Sequence, residues 1–423
     1  LDTANMKRYS RMEIHDDLVY FLETENDELY CLDLKSPAAQ VGVSKSLKIG
    51  FTWGTVDSYD LREAQAVFVN KNPEVQVYYT SFSMDSPISK TKLMAGEELD
   101  IVSVYSFFLH DFIASNAIAD LSGFDDLVSA MKHEDVLDGL YDFSSIDGFL
   151  FGIPVHFYPH ALLVNSELRK ELNIELPDQN WTWQDFYKYA KKVRQDLNGN
   201  GKKDTYIMRV DKNYPLFLES CLCEYISKVT GKVDFNSESF ISLLKLWKKM
   251  CDEDLIGPGS FGSRGKLDDT ILFSLDSAGN NMGSKEYTYL PALNSKKKVY
   301  PAEVVFLCVS STSKNTELAV EFLKIYLSRE VQEAMVYTNI SYICKDFSIY
   351  KKRLEELNSL EPLNAINEQI YKNVLKYAVP MSYPADLRIF ITHEVMPEFM
   401  SGKITAEEVA KQIQEKAEMM VRE

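Results

Sequence analysis

The chain lacks a hydrophobic run that could cross a bilayer. Its longest uncharged stretch, Gly148–Ser166, contains Pro154, Pro159 and two histidines, whereas a transmembrane helix needs about 20 consecutive apolar residues. The first ten residues, Leu1–Ser10, are polar and have no apolar core before a small-residue cleavage site, which a secretory leader requires. We therefore expect either that a leader has been removed or that the chain was cut from a longer one.

Positive charge is scarce. The chain of 423 residues has 46 Lys and Arg against 63 Asp and Glu, a formal net charge of −17. Binding to nucleic acid or to an anionic membrane needs clustered Lys and Arg to neutralise phosphates, so this balance argues against both partners. The apolar fraction of 45% is that of an ordinary folded protein with a solvated surface.

Motifs for metal and covalent chemistry are also missing. The six cysteines include no CxxC and no second Cys/His pair at zinc spacing, so buried free thiols are expected, with a disulfide left open for an exported protein. There is no GxSxG, HExxH, Walker loop or full GxGxxG motif. No carboxylate pair lies in a context that favours acid–base catalysis, and we predict that the protein is not an enzyme.

Strand and helix patterns alternate from Leu47 onward. At this length, two or three domains are expected. The alternation predicts an α/β fold with a mostly parallel sheet. The predicted strands and helices of this part are Leu47–Trp53, Asp60–Asn70, Val75–Tyr79, Leu99–Val104 and Asp111–Ala119.

The stretch Asp147–Ser166 is central to the organisation of the chain. Two apolar runs, Phe149–Phe151 and Ala161–Val164, are separated by Gly152, Pro154 and an aromatic, histidine-rich segment. This pattern predicts one strand that stops at the Gly/Pro punctuation and a second that restarts beyond it. Such a segment is typical of a chain that passes from one lobe to another and lines the cleft between them.

The second half continues the α/β pattern with two predicted helix caps. Thr182, with Asp185 in the first turn, is a predicted N-cap, and Thr405 with Glu408 forms a capping box. Ala319, Phe322 and Leu323 share one face of a predicted helix. The remaining predicted segments are two helices, Phe217–Val229 and Ser237–Asp252, a loop, Leu255–Asp269, and a strand, Glu303–Ser310.

The N-terminal residues 1–46 have a different character. Leu18–Leu22 and Glu28–Leu34 alternate apolar and polar residues around Glu25-Asn26-Asp27, which predicts a β-hairpin followed by a linker. A lone hairpin cannot bury its own face. It is therefore either the last piece of an upstream β-propeller, whose blades it resembles, or an addition packed on the first lobe.

Several motifs in order resemble family 1 extracellular solute-binding proteins of ABC importers, the maltose-binding type. These are LKIGFTW, NPEVQV, AGEELDIVSV, DGFLFGIPV with ALLVNSEL, WTWQDF, SSTSKNTELAVEFLKIYL and FMSGKITAEEVAKQIQEKAEMM. The resemblance runs from about Leu47 to Glu423. It implies a two-lobed periplasmic-binding-protein-like fold (type II) with about three inter-lobe crossings, near Val155–His160, Val299–Glu303 and Ser341–Lys345. Lobe one would comprise 47–155 and 303–342, and lobe two 156–302 and 343–423.

Aromatic and polar residues mark the predicted ligand cleft. In an open α/β sheet, ligands bind beyond the carboxyl ends of the strands, and rings with polar rims suit sugars. By position or by the resemblance, the candidate ligand residues are Trp53, Tyr105, Phe107, His156, Tyr158, Asn280, Asn281, Tyr383, Asp386 and Arg388. Many relatives have Trp where this chain has Asn281. For Asp386 and Arg388, a charge pair between the lobes is an equal alternative.

One loop has the start of an EF-hand pattern. Asp196, Asn198, Asn200, Lys202 and Asp204 occupy ligand positions, and Gly201 supplies the tight turn. The twelfth position, where a bidentate Glu is expected, is Ile207. A structural Ca²⁺ completed by a distant carboxylate or water, and an ordinary Asn-Gly turn, are both open.

The resemblance implies a ligand receptor that closes around an oligosaccharide or sugar derivative and is read by an ABC permease. We expect a monomeric, extracellular lipoprotein, or a periplasmic protein. The alternative is a recognition or sensor module for a peptide or other polar solute, within a larger multidomain receptor. A hydrolase on the same scaffold would turn over glycans, which we do not expect.

Overall fold

The computed structural model describes residues 9–15, 18–23, 29–33, 44–51, 59–82, 91, 93–95, 99–133, 136, 140–178, 180–227, 231–259, 268–277, 286–293, 300–335, 376–381 and 383–422. Its strands are β1 Tyr9–His15, β2 Leu18–Glu23, β3 Leu29–Asp33, β4 Lys45–Phe51, β5 Val75–Ser81, β6 Ile101–Tyr105, β7 Ser145–Ile146, β8 Phe149–Leu150, β9 Ile153–Val164, β10 Met208–Val210, β11 Ile226–Ser227, β12 Lys232–Val233, β13 Ile256–Pro258, β14 Phe273–Ser277, β15 Glu286–Thr288, β16 Tyr300–Val309 and β17 Ala378–Pro380.

The helices follow the same chain order. They are α1 Tyr59–Lys71, α2 Ser106–Ala114, α3 Asp125–Met131, α4 Leu140–Ser144, α5 Ser166–Glu171, α6 Trp183–Val193, α7 Leu216–Tyr225, α8 Glu238–Asp252, α9 Thr316–Tyr326, α10 Arg329–Met335, α11 Ala385–Ile389, α12 Met396–Met400 and α13 Ala406–Arg422. A π-helical turn, Phe390–Val395, joins α11 to α12. None of the described helices is both long enough and apolar enough to cross a membrane.

The largest described sheet is mixed rather than mostly parallel as predicted. Its order is β14-β9-β16-β6-β4-β5, with β15 paired to β9 and β17 to β16. β4 runs parallel to β5 and β6. β16 is antiparallel to both β6 and β9, and β9 is antiparallel to β14. The prediction was wrong here because strand–helix alternation describes neighbours in sequence, whereas β9 and β16 enter the sheet from distant parts of the chain.

The first predicted strand is β8, which ends at Leu150 before Gly152, but the second does not begin at Ala161: β9 runs without a break from Ile153 to Val164. Residues 153–159 pair with β16, and residues 160–164 pair with β14 and β15. Proline removes a ladder donor and is tolerated where a strand has a neighbour on one side. Pro154 and Pro159 both lie in the part of β9 for which β16 is the one described partner strand. β9 can therefore contain both prolines and still change partners between Pro159 and His160.

The buried apolar side chains that the structure describes form three clusters. The largest contains members from residues 161–300 and 381–417. The other two contain members from 47–155 and 302–331, and they lie on opposite faces of the sheet. On β16, for example, Val305 and Leu307 belong to one cluster, whereas Val304 and Phe306 belong to the other, as the two-residue period of a strand requires. The predicted lobe boundaries remain a prediction, and residues 341–345 lie outside the described part of the chain.

Helix prediction from local pattern succeeded in part. The predicted helix Asp111–Ala119 is α2, which begins and ends five residues earlier, and the predicted helix Phe217–Val229 is α7, which ends at Tyr225 and is followed by β11. The predicted helix Asp60–Asn70 is α1, and α9 buries Ala319, Phe322 and Leu323 completely. Phe322 meets Phe68 of α1 edge-on, with ring centroids 5.5 Å apart. Both predicted caps are present, at Thr182 before α6 and at Thr405 before α13. The predicted loop Leu255–Asp269 contains β13, which pairs in parallel with β10.

The N-terminal segment forms a separate antiparallel sheet. β1 pairs with β2, and β2 pairs with β3, with Leu18 opposite His15 on one side and Asp33 on the other. The strands β2 and β3 correspond to the two runs of the predicted hairpin, and β1 adds a third strand that the sequence analysis did not identify.

Candidate functional site

The candidate site lies where β6, β16 and β9 run side by side at the carboxyl end of β6. Val305 of β16 is paired with Tyr105, the last residue of β6, on one side and with His156 on the other. Two residues earlier on β16, Glu303 is paired with Tyr158. The backbone therefore brings three of the predicted ligand residues, Tyr105, His156 and Tyr158, to neighbouring rungs. The side chains of His156 and Tyr158 lie outside the described part of the structure.

The Tyr105 phenol is half-buried at this point. Burial raises its pKa above the ordinary value, and the carboxylate of Glu303 raises it further. Both causes disfavour the phenolate form. Tyr105 therefore presents a neutral ring and a hydroxyl group that can donate or accept a hydrogen bond, which suits a polyol.

Glu303 is a site residue that the sequence analysis missed. Its carboxylate Oε1 lies 3.8 Å from Nε2 of His160, with the His160 side chain 2% exposed and the Glu303 side chain 22% exposed. A signal was present in the sequence, because Glu303 is the one charged residue in the ten-residue strand YPAEVVFLCV. It is also the one residue of this strand that is not fully buried. The sequence does not indicate which residues lie beside Glu303, because they are brought there by the pairing of β16 with β6 and β9.

Phe107 and Tyr383 pack against each other. Their ring centroids are 5.5 Å apart and meet edge-on. Tyr383 is 1% exposed and belongs to the large cluster, and Phe107, at the start of α2, packs on that cluster. The Tyr383 hydroxyl donates to the sulfur of Met381 at 3.7 Å. In this conformation the Tyr383 ring is thus a core side chain rather than a solute-facing one, because an aromatic ring is stabilised most by burial.

The two charged residues predicted as ligands in this region differ in their exposure to solvent. Asp386 is exposed at the start of α11. Arg388 is half-buried, and its guanidinium lies 5.8 Å from the centroid of the Tyr214 ring, within the range of a cation–π contact. Three further predicted ligand residues, Trp53, Asn280 and Asn281, lie outside the described residues and remain predictions.

The EF-hand-like loop is organised by its own hydrogen bonds. The backbone N–H groups of Asn200 and Gly201 donate to the carboxylate of Asp196 at 3.2 and 2.7 Å. The N–H of Lys202 donates to Asn200 Oδ1 at 2.8 Å, and the amide of Asn198 donates to Asp204 at 2.5 Å. Such contacts are typical of Asx-rich turns.

This loop fits a calcium ion only in part. Two carboxylates, two amide oxygens and one carbonyl could contribute ligands, whereas Ca²⁺ takes 6–8 oxygens. Ile207, at the twelfth position, is fully buried in the large cluster. Among the described residues, no group of three or more His, Cys, Asp or Glu side chains could hold a metal ion.

Comparisons with known proteins agree on one family and one fold. A family model described as a bacterial extracellular solute-binding protein matches residues 66–343. A sugar transporter protein from Rhizobium etli, solved in an open conformation, has a TM-score of 0.69 at 17% identity and covers 88% of this chain and 98% of its own. The sugar-binding protein MalE from Xanthomonas citri has a TM-score of 0.68 at 14% identity, covering 89% and 97%.

A third similar structure carries a ligand. The ABC substrate-binding protein from Listeria monocytogenes, solved with cycloalternan, has a TM-score of 0.64 at 14% identity and covers 89% of this chain and 99% of its own. At such identities the likeness shows the fold, which is two-lobed and periplasmic-binding-protein-like, as the sequence motifs predicted.

Proposed function

Because the chain belongs to the bacterial extracellular solute-binding protein family, we propose that it captures a carbohydrate for an ABC importer. The observation that carries this proposal is the family match over residues 66–343. Structural neighbours named for cycloalternan, β-1,6-galactobiose and xylan utilisation support a carbohydrate as the solute. The fold class alone does not specify a ligand.

The candidate site is chemically suited to a sugar. Tyr105 contributes a half-buried ring and hydroxyl, and Glu303 contributes a partly exposed carboxylate beside His160. Aromatic faces stack on sugar C–H groups, and hydroxyl and carboxylate groups pair with sugar hydroxyls. Trp53, Asn280 and Asn281 remain proposed ligand residues of the same cleft.

Capture would occur by hinge closure. β9 pairs with β14 and with β16, and β16 pairs in turn with β6. The apolar residues of these strands are divided between the large cluster and the other two clusters. β9 and β16 are therefore the proposed hinge. A solute shifts the open–closed equilibrium only by its difference in affinity for the two states. A sugar that contacts both lobes in the closed form provides that difference, and the closed form is then recognised by the permease.

The proposed setting is a monomeric receptor outside the cytoplasm, held to the cell surface by a lipid anchor or free in a periplasm. The family is described as extracellular, and both its members and the solved neighbours are binding proteins rather than enzymes. Incubation of the protein with oligosaccharides, followed by chromatography, tests for a hydrolase on this scaffold, and release of shorter sugars would contradict the proposal.

A second candidate function is favoured by the separate N-terminal sheet, β1–β3. It would suit a recognition or sensor module for a peptide or other polar solute within a multidomain receptor. The sequence of the gene upstream of Leu1 distinguishes the two. A lipobox cysteine and neighbouring permease genes favour import, whereas further propeller repeats without a permease favour the receptor.

A thermal-shift screen tests the carbohydrate function directly. Mono- and oligosaccharides are added singly, and a ligand present at 100 times its Kd should stabilise the protein by about 2.7 kcal/mol. A peptide library serves as the comparison class. Stabilisation by peptides and by no carbohydrate would favour the second function instead.

A structural Ca²⁺ at the loop 196–204 also remains a proposal. We expect millimolar CaCl₂ to raise the melting temperature of the protein through mass action on the folded state. The Asp196→Asn variant should lose this response, since the substitution removes one of the two carboxylates. A response of equal size to MgCl₂, or in the variant, would contradict a specific calcium site.

A further inference from the structure

We propose that Glu303 sets the charge selectivity of the solute site, admitting neutral and amino sugars and rejecting uronic acids. The inference rests on the carbohydrate function proposed for the chain and names the class of sugar within it.

The position of Glu303 is the first argument. Glu303 lies on β16, next to the carboxyl end of β6, and is paired with Tyr158 of β9. Two residues further along β16, Val305 is paired with Tyr105 on one side and with His156 on the other. The flanking residues Ala302 and Val304 are fully buried. Of all ten residues of the strand, Glu303 alone keeps partial exposure. A charged side chain that is 22% exposed is therefore held at a fixed point of a buried strand.

The chemistry of the carboxylate is the second argument. An ionised carboxylate is acceptor-only and has about four lone-pair positions. The 3.8 Å separation between its carboxylate and Nε2 of His160 is longer than a direct hydrogen bond. The carboxylate already acts on its surroundings, because it contributes to the raised pKa of Tyr105. It can accept hydrogen bonds from vicinal hydroxyls or from an ammonium group, and it repels a sugar carboxylate.

Isothermal titration with matched sugars tests the selectivity. The probes are α-1,4-galactobiose, cellobiose and xylobiose, with digalacturonic acid and cellobiouronic acid as anionic counterparts and the chitosan disaccharide as the amino counterpart. For the intact protein we expect the anionic sugars to bind at least about tenfold more weakly than their neutral counterparts, the scale of one charge-assisted hydrogen bond. The Glu303→Gln variant should lose that discrimination. Glu303→Asp should keep it, while its affinity for the neutral sugars falls because the shorter side chain reaches less far.

Glu74→Gln is the matched control. Glu74 is also partly exposed, at 33%, and pairs with Lys45 at the amino end of β5, at the opposite edge of the sheet. This variant should keep the affinities and the discrimination of the intact protein. Carbohydrate binding with equal discrimination in the intact protein and Glu303→Gln would overturn the inference alone. Binding of no carbohydrate by the intact protein would overturn the carbohydrate function and the inference together.

Discussion

At Gly152, just before β9, the chain passes very close to β16. A Cβ at this position would lie 2.7 Å from the carbonyl oxygen of Leu307 and 2.8 Å from the sulfur of Cys308. We expect Gly152→Ala to lower the free energy of unfolding by about 1–3 kcal/mol, since overpacking moves backbone that belongs to β16. Urea denaturation measures the change. Gly123→Ala is the control, because nothing lies within 4 Å of a Cβ there, and equal losses in both variants would contradict the steric explanation.

Four cysteines are free thiols in the described part of the structure: Cys221 and Cys308 are buried, as the sequence predicted, whereas Cys223 and Cys251 are partly exposed. Burial raises the pKa of Cys221 and of Cys251 to about 12. Because the thiolate is the reactive form, a raised pKa lowers its population at pH 8 and slows alkylation. We expect iodoacetamide to label both far more slowly in the folded protein than in urea, as read by peptide mass mapping. Labelling at the same rate in both conditions would contradict their burial.

α6 begins with a complete capping box. Thr182 Oγ1 accepts from the N–H of Asp185 at 3.3 Å, and the Asp185 carboxylate accepts from the N–H of Thr182 at 3.1 Å. We expect Thr182→Ala to cost about 1 kcal/mol of stability at pH 7. Ser237→Ala is the control, because Ser237 precedes α8 without a side-chain cap bond, and it should cost less.

The same cap predicts a pH dependence. The hydrogen bond from the Thr182 side chain, followed by the contact with Lys188, lowers the pKa of Asp185 below 3.8. A lowered carboxyl pKa gives stability that is present above the unfolded value and is lost as the pH falls through the folded value. The difference in unfolding free energy between the intact protein and Thr182→Ala should therefore shrink below pH 3.8. A difference that is constant from neutral pH to that range would contradict the role of the charged carboxylate.

The elements also show which parts of the fold a sequence can predict. The caps at Thr182 and Thr405 and the buried face of α9 depend on residues three or four apart, so their patterns were read correctly. β9 was not, because whether Pro159 ends a strand depends on its pairing with Ala302, far away in the sequence. The same limit applies to Glu303. Its charge was visible in an apolar run, but its approach to His160 and Tyr105 follows from the register of three distant strands.

For the whole molecule, the two-lobed fold was predictable from the order of its motifs, whereas the relation between the lobes depends on long-range contacts. Phe107 follows β6, yet it packs against Tyr383 of the large cluster. No local pattern links these two rings, and Tyr383 was accordingly predicted as a ligand residue. The contact therefore joins α2 to the large cluster.

Ligand-induced closure is the prediction that belongs to the whole molecule. We expect small-angle X-ray scattering to show a smaller radius of gyration when a stabilising carbohydrate is present at 100 times its Kd, because the solute favours the state in which both lobes contact it. A carbohydrate that gives no thermal shift is the control and should leave the radius unchanged. Removal of the bound sugar by dialysis should restore the larger value, since the two states are in equilibrium. Tight binding with an unchanged radius of gyration would contradict a hinge at β9 and β16 and would indicate a site formed in advance of the solute.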